Sequence, residues 1–148
     1  MKCQGCAIHL ARVYKYALSM ERMTIMVADD DPEALENAAA TLTGAGHRVI
    51  RVPDGRRAIQ EAISHRVDLI IVDVSIPQLN GVETCHCLKA MPKTNRIPVV
   101  LTAAKKDPEA KSLKDRSHGS ARILRKPYGP DELLDLVAEI SRNGKRRP

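Results

Sequence analysis

Polar side chains suited to phosphate or metal chemistry recur at one kind of place in this sequence, directly after a short apolar run. Carboxylates follow the first and third runs, a threonine follows the fourth and a lysine follows the fifth. In chain order they are Asp29, Asp30 and Asp31, then Asp73, then Thr102, then Lys126. Each alone would be ordinary, since aspartate is common in turns and lysine is usually solvated. Because each follows an apolar run, together they predict a site for phosphate or metal chemistry.

The carboxylates restrict the chemistry of that site. Two carboxylates about 5 Å apart repel each other by roughly 3 kcal/mol at an effective dielectric constant of about 20. A cation can neutralise such a cluster, and oxygen-only ligands suit Mg²⁺, which commonly bridges to phosphate oxygens. The lysine and threonine can donate hydrogen bonds to a phosphoryl group, and a carboxylate can be the nucleophile. The group therefore predicts phosphoryl transfer onto an aspartate, whereas Asp31 is interpreted as a helix cap.

Alternating strands and helices must position these side chains. The predicted strands are 24–28, 48–52, 68–72, 98–101 and 122–124. The first helix has Asp31 as its cap and Pro32 as its first residue, and others begin after Asp54 and at Gly81. A fourth helix begins at Asp107-Pro108 and ends at about Ser117, and the last begins at Pro130 and ends at about Arg142. The predicted inner faces are Ala58, Ile59, Ala62 and Ile63; Val82, Cys85, Leu88 and Met91; and Leu133, Val137 and Ile140, with Leu134 and Leu136 beside them. This alternation predicts an α/β fold with a parallel sheet covered on both faces, whose ligands bind at the carboxyl ends of the strands.

Length and composition bound the fold and the partners. The chain has 148 residues, enough for one domain, and 43% of them are apolar, with no Phe and no Trp. The core must therefore be aliphatic, and the aromatic platforms on which single-stranded nucleic acids stack are missing. No apolar run is long enough to span a membrane. Because no secretory signal is present either, we expect a cytoplasmic protein with reduced cysteines.

The net charge of +6 belongs to the two ends of the chain. Residues 1–22 carry +3 and residues 141–148 carry +4, whereas residues 23–140 carry −1. Basic ends can touch phosphates without specificity. We therefore expect no specific nucleic-acid partner, and interpret the ends as solvated. The remaining hypothesis of a nucleic-acid-binding protein predicts an affinity that falls steeply with salt.

Other motifs of enzymes and metal proteins are absent or weak. The sequence lacks GxxxxGK[ST], lacks GxGxxG after its first strand, and lacks GxSxG and HExxH. Cys3 and Cys6, with His9, are similar to a metal or redox motif, but no second CxxC follows at zinc-finger spacing. Cys85 and Cys87 lie two residues apart on a helix and point to nearly opposite sides, so they cannot chelate one ion together.

Four segments resemble the receiver domain of two-component response regulators. They are VADDDP at 27–32, DLIIVDVSIPQLNG at 68–81, VVLTA at 99–103 and RKPY at 125–128. The resemblance implies a flavodoxin-like, doubly wound parallel sheet of five strands in the order 2-1-3-4-5, with five helices. It divides the chain into an N-terminal extension at 1–22 with a short amphipathic helix pattern, a receiver domain at 23–142 and a basic tail at 143–148.

The resemblance also implies a phosphoacceptor and a metal site. Asp73 would be the phosphoacceptor. Asp30 and Asp73 would bind Mg²⁺ directly, with the backbone carbonyl of Ser75 as a further ligand and Asp29 acting mostly through water. A sensor histidine kinase or a histidine phosphotransfer protein would donate the phosphoryl group.

Further roles follow from the same resemblance. Thr102 would turn toward the phosphoryl group, and Lys126 would pair with its oxygens. The bond from Lys126 to Pro127 would be cis, and Pro77 and Gly81 would shape the loop after the phosphoacceptor.

Ile123 departs from the family pattern, which usually has Tyr or Phe three residues before the lysine. Isoleucine is stiff at χ1 and has no hydroxyl. We expect the phosphorylation chemistry to survive, with the signal transmitted through Thr102 and the loop that begins at Ala103. Residues 105–126 hold eight basic and three acidic side chains, which would suit an acidic partner, a self-contact or an ordinary charged exterior.

Two hypotheses of different classes follow. The first is a stand-alone receiver, a phosphorylation switch whose only reactions are Mg²⁺-dependent self-phosphorylation from a donor and autodephosphorylation. Its downstream protein target is not identified by the sequence. The second is a pseudo-receiver that serves as a docking or dimerisation module without phosphate, motivated by Ile123 and by the segment 1–22. The retained Asp73, Thr102 and Lys126 favour the first hypothesis, because a scaffold has no physical need for a repulsive acidic cluster.

Overall fold

A five-stranded parallel sheet forms the centre of the protein in a computed structural model that describes residues 21–104 and 122–145. The strand order is β2-β1-β3-β4-β5. The elements are β1 (Thr24–Ala28), α1 (Pro32–Gly44), β2 (Arg48–Val52), α2 (Gly55–Ser64), β3 (Leu69–Asp73), α3 (Gly81–Ala90), β4 (Val99–Ala104), β5 (Arg122–Lys126) and α4 (Pro130–Lys145). The predicted sheet and strand order are confirmed. Four helices lie in this part of the chain; the helix predicted from Asp107 to about Ser117, the pattern at 7–20 and residues 146–148 lie outside it.

Each strand contributes to two core layers, because successive strand residues point to opposite faces of a sheet. In β3, Ile70 and Val72 pack in the layer that contains α2 and α3. Leu69 and Ile71 pack in the layer that contains α1 and α4. All four side chains are at most 1% exposed. This burial on both faces explains why the strand reads as an uninterrupted apolar run.

Two helices begin at the aspartate caps that the sequence predicts. The carboxylate of Asp31 accepts a hydrogen bond from the Glu33 backbone N–H at 3.1 Å, and Pro32 is the first residue of α1. The carboxylate of Asp54 accepts from the Arg57 N–H at 2.7 Å at the start of α2. Both caps satisfy backbone donors that a helix leaves unpaired at its first turn.

Three strands end later than predicted. They end at Asp73, Ala104 and Lys126, where the prediction had ended them at Val72, Leu101 and Leu124. The backbone ladder continues because Asp73 pairs with Thr102 and Ala104 pairs with Lys126. Polar side chains were interpreted as marking the ends of the strands, but backbone pairing decides where a strand ends. Asp73, Thr102 and Lys126 therefore stand on the strands themselves, whereas Asp29 directly follows β1.

One predicted core residue is exposed. Ile63 was placed on the inner face of α2, but its side chain is 38% exposed. The buried stripe of this helix runs through Ala58 and Ala62. The next residue along a helix lies about 100° away from its neighbour, which turns Ile63 out of that stripe.

The helix α4 extends three residues beyond its predicted end at Arg142. No helix in the described ranges is both long and apolar enough to cross a membrane.

Candidate functional site

Two buried carboxylates meet at the carboxyl edge of the sheet. Asp73 is the last residue of β3 and Asp29 directly follows β1. These strands are neighbours, with Ala28 paired to Val72. Asp29 is 5% exposed and Asp73 is 7% exposed. Burying two such groups side by side is unfavourable unless a cation neutralises them.

Lys126 supplies that cation from the far side of β4. Its ammonium donates a hydrogen bond to Asp29 Oδ2 at 2.8 Å and also to Asp73 Oδ2. Burial by itself lowers the pKa of Lys126, but the hydrogen bonds to Asp29 and Asp73 and the charges of both carboxylates outweigh it. The net effect raises the pKa of Lys126. The side chain is therefore a fixed positive charge at neutral pH, aimed at the two aspartates.

The second oxygen of each carboxylate is held by the backbone. Asp73 Oδ1 accepts from the Ser75 N–H at 2.7 Å, and Asp29 Oδ1 accepts from the Asp31 N–H at 3.0 Å. Each carboxylate thus has one oxygen on the ammonium and the other on a backbone amide two residues further along the chain. This fixes the orientation of Asp73 before any ligand arrives, which is the preorganisation a reactive group requires.

Asp30 and Ser75 lie on the exposed rim of the same edge. Within residues 21–104 and 122–145, no three acidic, histidine or cysteine side chains already surround one point as metal ligands do. The donor set nevertheless fits a hard cation, because it consists of oxygens. The three carboxylates of Asp29, Asp30 and Asp73 against one ammonium leave two uncompensated negative charges, which matches a divalent ion. Mg²⁺ ligation by Asp30, Asp73 and the Ser75 carbonyl stays a prediction.

Thr102 lies next to Asp73 across the sheet. The two residues are register partners in β3 and β4, and the Val74 N–H donates to the Thr102 carbonyl at 3.0 Å. Thr102 is 2% exposed. The structure therefore brings together Asp29, Asp73, Thr102 and Lys126, as the sequence predicted. Asp31 belongs to the cap of α1.

The loop after Asp73 packs directly onto the backbone of the site. A Cβ on Gly81 would lie 2.5 Å from the Asp73 carbonyl oxygen and 2.7 Å from the Val74 Cα, so only glycine fits there. Within this loop, the Leu79 N–H donates a hydrogen bond to the Pro77 carbonyl at 2.9 Å. This bond closes a γ-turn centred on Gln78, whose φ is 71°. The peptide bond from Lys126 to Pro127 is cis, as the resemblance implied.

Two features of the site were not predicted from the sequence. Asn80 and Glu83 form a reciprocal capping box at the start of α3, and the spacing of an N-cap residue and a glutamate three positions later is a signal that could have revealed it. Tyr128 is half-buried against the layer of α1 and α4. The pKa of the Tyr128 phenol is raised, mainly by burial, although the positive charge of Lys126 lowers it.

Ile123 occupies β5 opposite Leu101, and its side chain is 38% exposed. The position where an aromatic residue was expected from the resemblance therefore carries an aliphatic side chain that faces solvent. The loop after Ala104, to which part of the signal was assigned, lies outside the described residues.

The comparisons with known proteins agree with this geometry. The response regulator receiver domain family matches residues 25–138. The chain belongs to this family. The receiver is 33% identical over 123 residues to the DNA-binding response regulator MtrA of Mycolicibacterium smegmatis, a match that covers 82% of this chain and 52% of that protein.

Solved structures share the fold of the receiver. The signal receiver domain of a signal transduction histidine kinase from Syntrophus aciditrophicus is 28% identical, with a TM-score of 0.77 over 85% of this chain and 95% of that chain. The receiver domain of the sensor histidine kinase PA1611 from Pseudomonas aeruginosa is 26% identical, with a TM-score of 0.73 over 80% of this chain and 97% of that chain. That structure contains a magnesium ion coordinated in the active site cleft.

The chain spans about half the length, or less, of the curated relatives it matches. The comparison therefore covers the receiver part of those proteins. The part that this chain shares with them is the receiver domain of a two-component response regulator.

Proposed function

We infer that this receiver accepts a phosphoryl group on Asp73, donated by a sensor histidine kinase or a histidine phosphotransfer protein, and uses it to switch protein–protein contacts. One observation carries the proposal. The Asp73 carboxylate stands at the end of the central strand with one oxygen on a backbone amide and the other on Lys126. A scaffold without phosphate chemistry has no need to bury two carboxylates against one ammonium.

The chemical step transfers one phosphoryl group. A carboxylate oxygen of Asp73 attacks the phosphorus of the donor phosphohistidine and forms a new oxygen–phosphorus bond. The phosphorus–nitrogen bond breaks, and its electron pair stays on the imidazole of the donor. The ammonium of Lys126 remains protonated and donates to the phosphoryl oxygens, which carry the developing charge.

Magnesium fits the site as a cofactor. Asp30, Asp73 and the backbone carbonyl of Ser75 would hold the ion, and Asp29 would act through water. When bound, it would neutralise the carboxylates and the charge on the phosphoryl oxygens. The oxygen-only donors, the excess negative charge and the magnesium ion in the related PA1611 structure support this assignment.

Transmission of the phosphorylated state would begin at Thr102, the register partner of Asp73. The exposed Ile123 offers no hydroxyl to a relay. We therefore assign the switch to Thr102 and the end of β4 at Ala103 and Ala104.

Intact-protein mass spectrometry tests the proposal. The wild type is incubated with Mg²⁺ and acetyl phosphate, beside Asp73→Asn and beside Asp54→Asn. Asp54→Asn makes the same chemical change at the cap of α2, where asparagine caps equally well. We expect a phosphoryl adduct in the wild type and in Asp54→Asn, no adduct in Asp73→Asn, and a loss of the adduct when Mg²⁺ is removed.

The alternative, a docking or dimerisation module that works without phosphate, makes the opposite prediction. An absence of adduct at every Mg²⁺ concentration, while a receiver of known activity reacts in parallel, would support that module and reject the proposal. An adduct that survives Asp73→Asn would move the acceptor to another residue.

A further inference from the structure

The amino edge of the sheet, opposite the aspartate site, gathers arginines that are far apart in sequence. Arg22 precedes β1, Arg66 precedes β3, Arg96 precedes β4 and Arg122 is the first residue of β5. Parallel strands begin at the same edge of a sheet, so these four residues lie along that edge. With Lys89 they line one open cleft with a volume of about 960 Å³, called here the amino-edge cleft.

The amino-edge cleft has an excess of positive charge. Its five basic residues face two acidic ones, Glu21 and Asp68. Asp68 is already engaged, because its Oδ2 accepts from the Thr24 N–H at 2.8 Å and its Oδ1 lies 3.9 Å from Arg66 Nε. The lining therefore carries a net formal charge of +3 from five basic and two acidic side chains.

Several of the basic groups remain available to a ligand. Arg22 and Arg96 are exposed and make no ion pair with any residue in 21–104 or 122–145. The side chain of Arg66 is 94% exposed and its only recorded contact with a carboxylate in that part is the long one to Asp68. Arg122 pairs with Glu139 at 2.7 Å on the side of α4.

The three segments outside the described ranges carry more basic than acidic side chains. Residues 1–20 hold three basic and no acidic side chains, residues 105–121 hold five basic and three acidic ones, and residues 146–148 hold two basic ones. Each of these segments is net positive. Charge complementarity therefore points to an anion from outside the chain.

The chemistry of the lining narrows the class of anion. Arginine presents a planar fork of donors that matches phosphate oxygens, often in pairs. Neighbouring strands lie about 4.8 Å apart, so the arginines that precede β1, β3 and β4 or begin β5 spread over roughly 15 Å. Such a row suits several linked anionic groups better than one. Because the chain has no Phe and no Trp, stacking contributes little, and the volume is that of a small-molecule site.

We propose that the amino-edge cleft binds a small ligand that carries a chain of phosphate groups. The source is either a free oligophosphate or the phosphate tail of a nucleotide, since the shared chemistry is the linked phosphates. The site is separate from the proposed phosphorylation of Asp73, which lies at the other edge of the sheet. The two proposals can therefore fail independently.

Titration calorimetry on the full chain tests the proposal, in buffer stripped of divalent ions so that the acidic site at the other edge repels phosphates. The probes are sodium tripolyphosphate, ATP and inorganic phosphate. The test variant is Arg22→Glu/Arg96→Glu. The matched control is Arg56→Glu/Arg57→Glu, which makes the same charge change at exposed positions of α2, outside the cleft. Arg22→Gln/Arg96→Gln repeats the test with a milder change.

We expect saturable binding of tripolyphosphate, weaker binding of inorganic phosphate, and at least about a tenfold loss of affinity in the test variant with less than about a threefold loss in the control. Equal affinities for tripolyphosphate and ATP would assign the site to the phosphate chain, and tighter ATP binding would assign it to a nucleotide. Circular dichroism and urea unfolding check that each variant is folded, and neither depends on phosphorylation of Asp73.

Three results would overturn the proposal. The first is an absence of saturable binding by the wild type. The second is an equal loss of affinity in the test and control variants, which would mean unspecific attraction to a basic protein. The third is tighter binding of a short single-stranded oligonucleotide or of an oligoglutamate peptide than of tripolyphosphate, which would assign the cleft to a macromolecular partner.

Discussion

Lys126 is the only basic side chain recorded in contact with Asp29 and Asp73 within the described ranges, so both buried carboxylates depend on it. In Lys126→Met the apolar part of the side chain is kept and the ammonium is lost. Two buried carboxylates are then left without their cation, and we expect a loss of about 1–3 kcal/mol in the free energy of unfolding. Urea unfolding at neutral pH without Mg²⁺ measures this change.

The double variant Lys126→Met/Asp73→Asn provides the control for that experiment. Removing one of the two repelling charges should raise the stability of the Lys126→Met background, whereas the same change in the wild type also removes an attractive contact. A double-mutant cycle isolates this coupling. If Asp73→Asn has the same effect in both backgrounds, the three groups are not coupled as the geometry indicates.

Gly81 is a second residue with a specific role, because it lets the start of α3 lie close to the backbone of Asp73 and Val74. In Gly81→Ala the new methyl group would lie 2.5 Å from the Asp73 carbonyl oxygen, so the start of α3 has to move. We expect destabilisation of about 1–3 kcal/mol, typical of overpacking, together with a lower yield of the Asp73 adduct. Thermal unfolding and the mass-spectrometric assay measure the two effects.

Gly144→Ala is the matched control for this substitution. Gly144 lies near the end of α4, and an added Cβ meets nothing within 4 Å. Alanine is the better helix former, so the variant should gain up to about 1 kcal/mol. A loss of stability in both variants would show that the close approach at Gly81 is not the cause.

At the scale of the elements, the capping box of α3 connects helix stability to the loop after Asp73. Asn80 Oδ1 accepts from the Glu83 N–H at 2.9 Å, and Glu83 Oε2 accepts from the Asn80 N–H at 3.1 Å. Asn80→Ala removes the first of these bonds and should lower the free energy of unfolding by about 1 kcal/mol. Urea unfolding measures it.

Asn37→Ala is a suitable comparison, because Asn37 is an exposed residue within α1 rather than at its cap. A surface change of this kind usually stays within about 0.5 kcal/mol. Equal effects of the two substitutions would contradict the role of the capping box.

At the scale of the whole molecule, a buried histidine couples stability to pH. His47 is 4% exposed, its Nδ1 accepts from the Met23 N–H at 3.2 Å, and its Nε2 is buried without a partner in the described part of the chain. Burial lowers the pKa of His47 from the ordinary value of 6.5. The folded protein therefore holds the imidazole neutral under conditions in which the unfolded chain begins to bind a proton.

The sign of the pH dependence follows from this. Well above pH 6.5 His47 is neutral in both the folded and the unfolded state, and its contribution to stability is complete. As the pH falls below that value, the unfolded state binds the proton first, so the free energy of unfolding decreases. Urea unfolding between neutral and mildly acidic pH should show this loss, and His47→Gln, which keeps an acceptor but does not titrate, should show less of it. Parallel curves for the two proteins would assign the acid sensitivity to other groups.

The sequence by itself determined the elements and the composition of the site. Apolar runs marked the strands because the sheet is buried on both faces, and the aspartate caps marked helix starts because they act within a few residues. Asp29, Asp73, Thr102 and Lys126 could be predicted to converge, since the carboxyl ends of parallel strands share one edge. The resemblance to the receiver family, which the segments at 27–32, 68–81, 99–103 and 125–128 carry, was confirmed.

Only the tertiary structure decided which atoms meet. The hydrogen bond from Lys126 to Asp29 joins residues 97 positions apart, and it depends on strand order and register, which no local pattern encodes. The late strand ends, the exposure of Ile63 and the close approach at Gly81 have the same origin, because packing and backbone pairing override side-chain preference. Tertiary structure also places four arginines together at the amino edge, because the sheet aligns the starts of strands that are far apart in sequence.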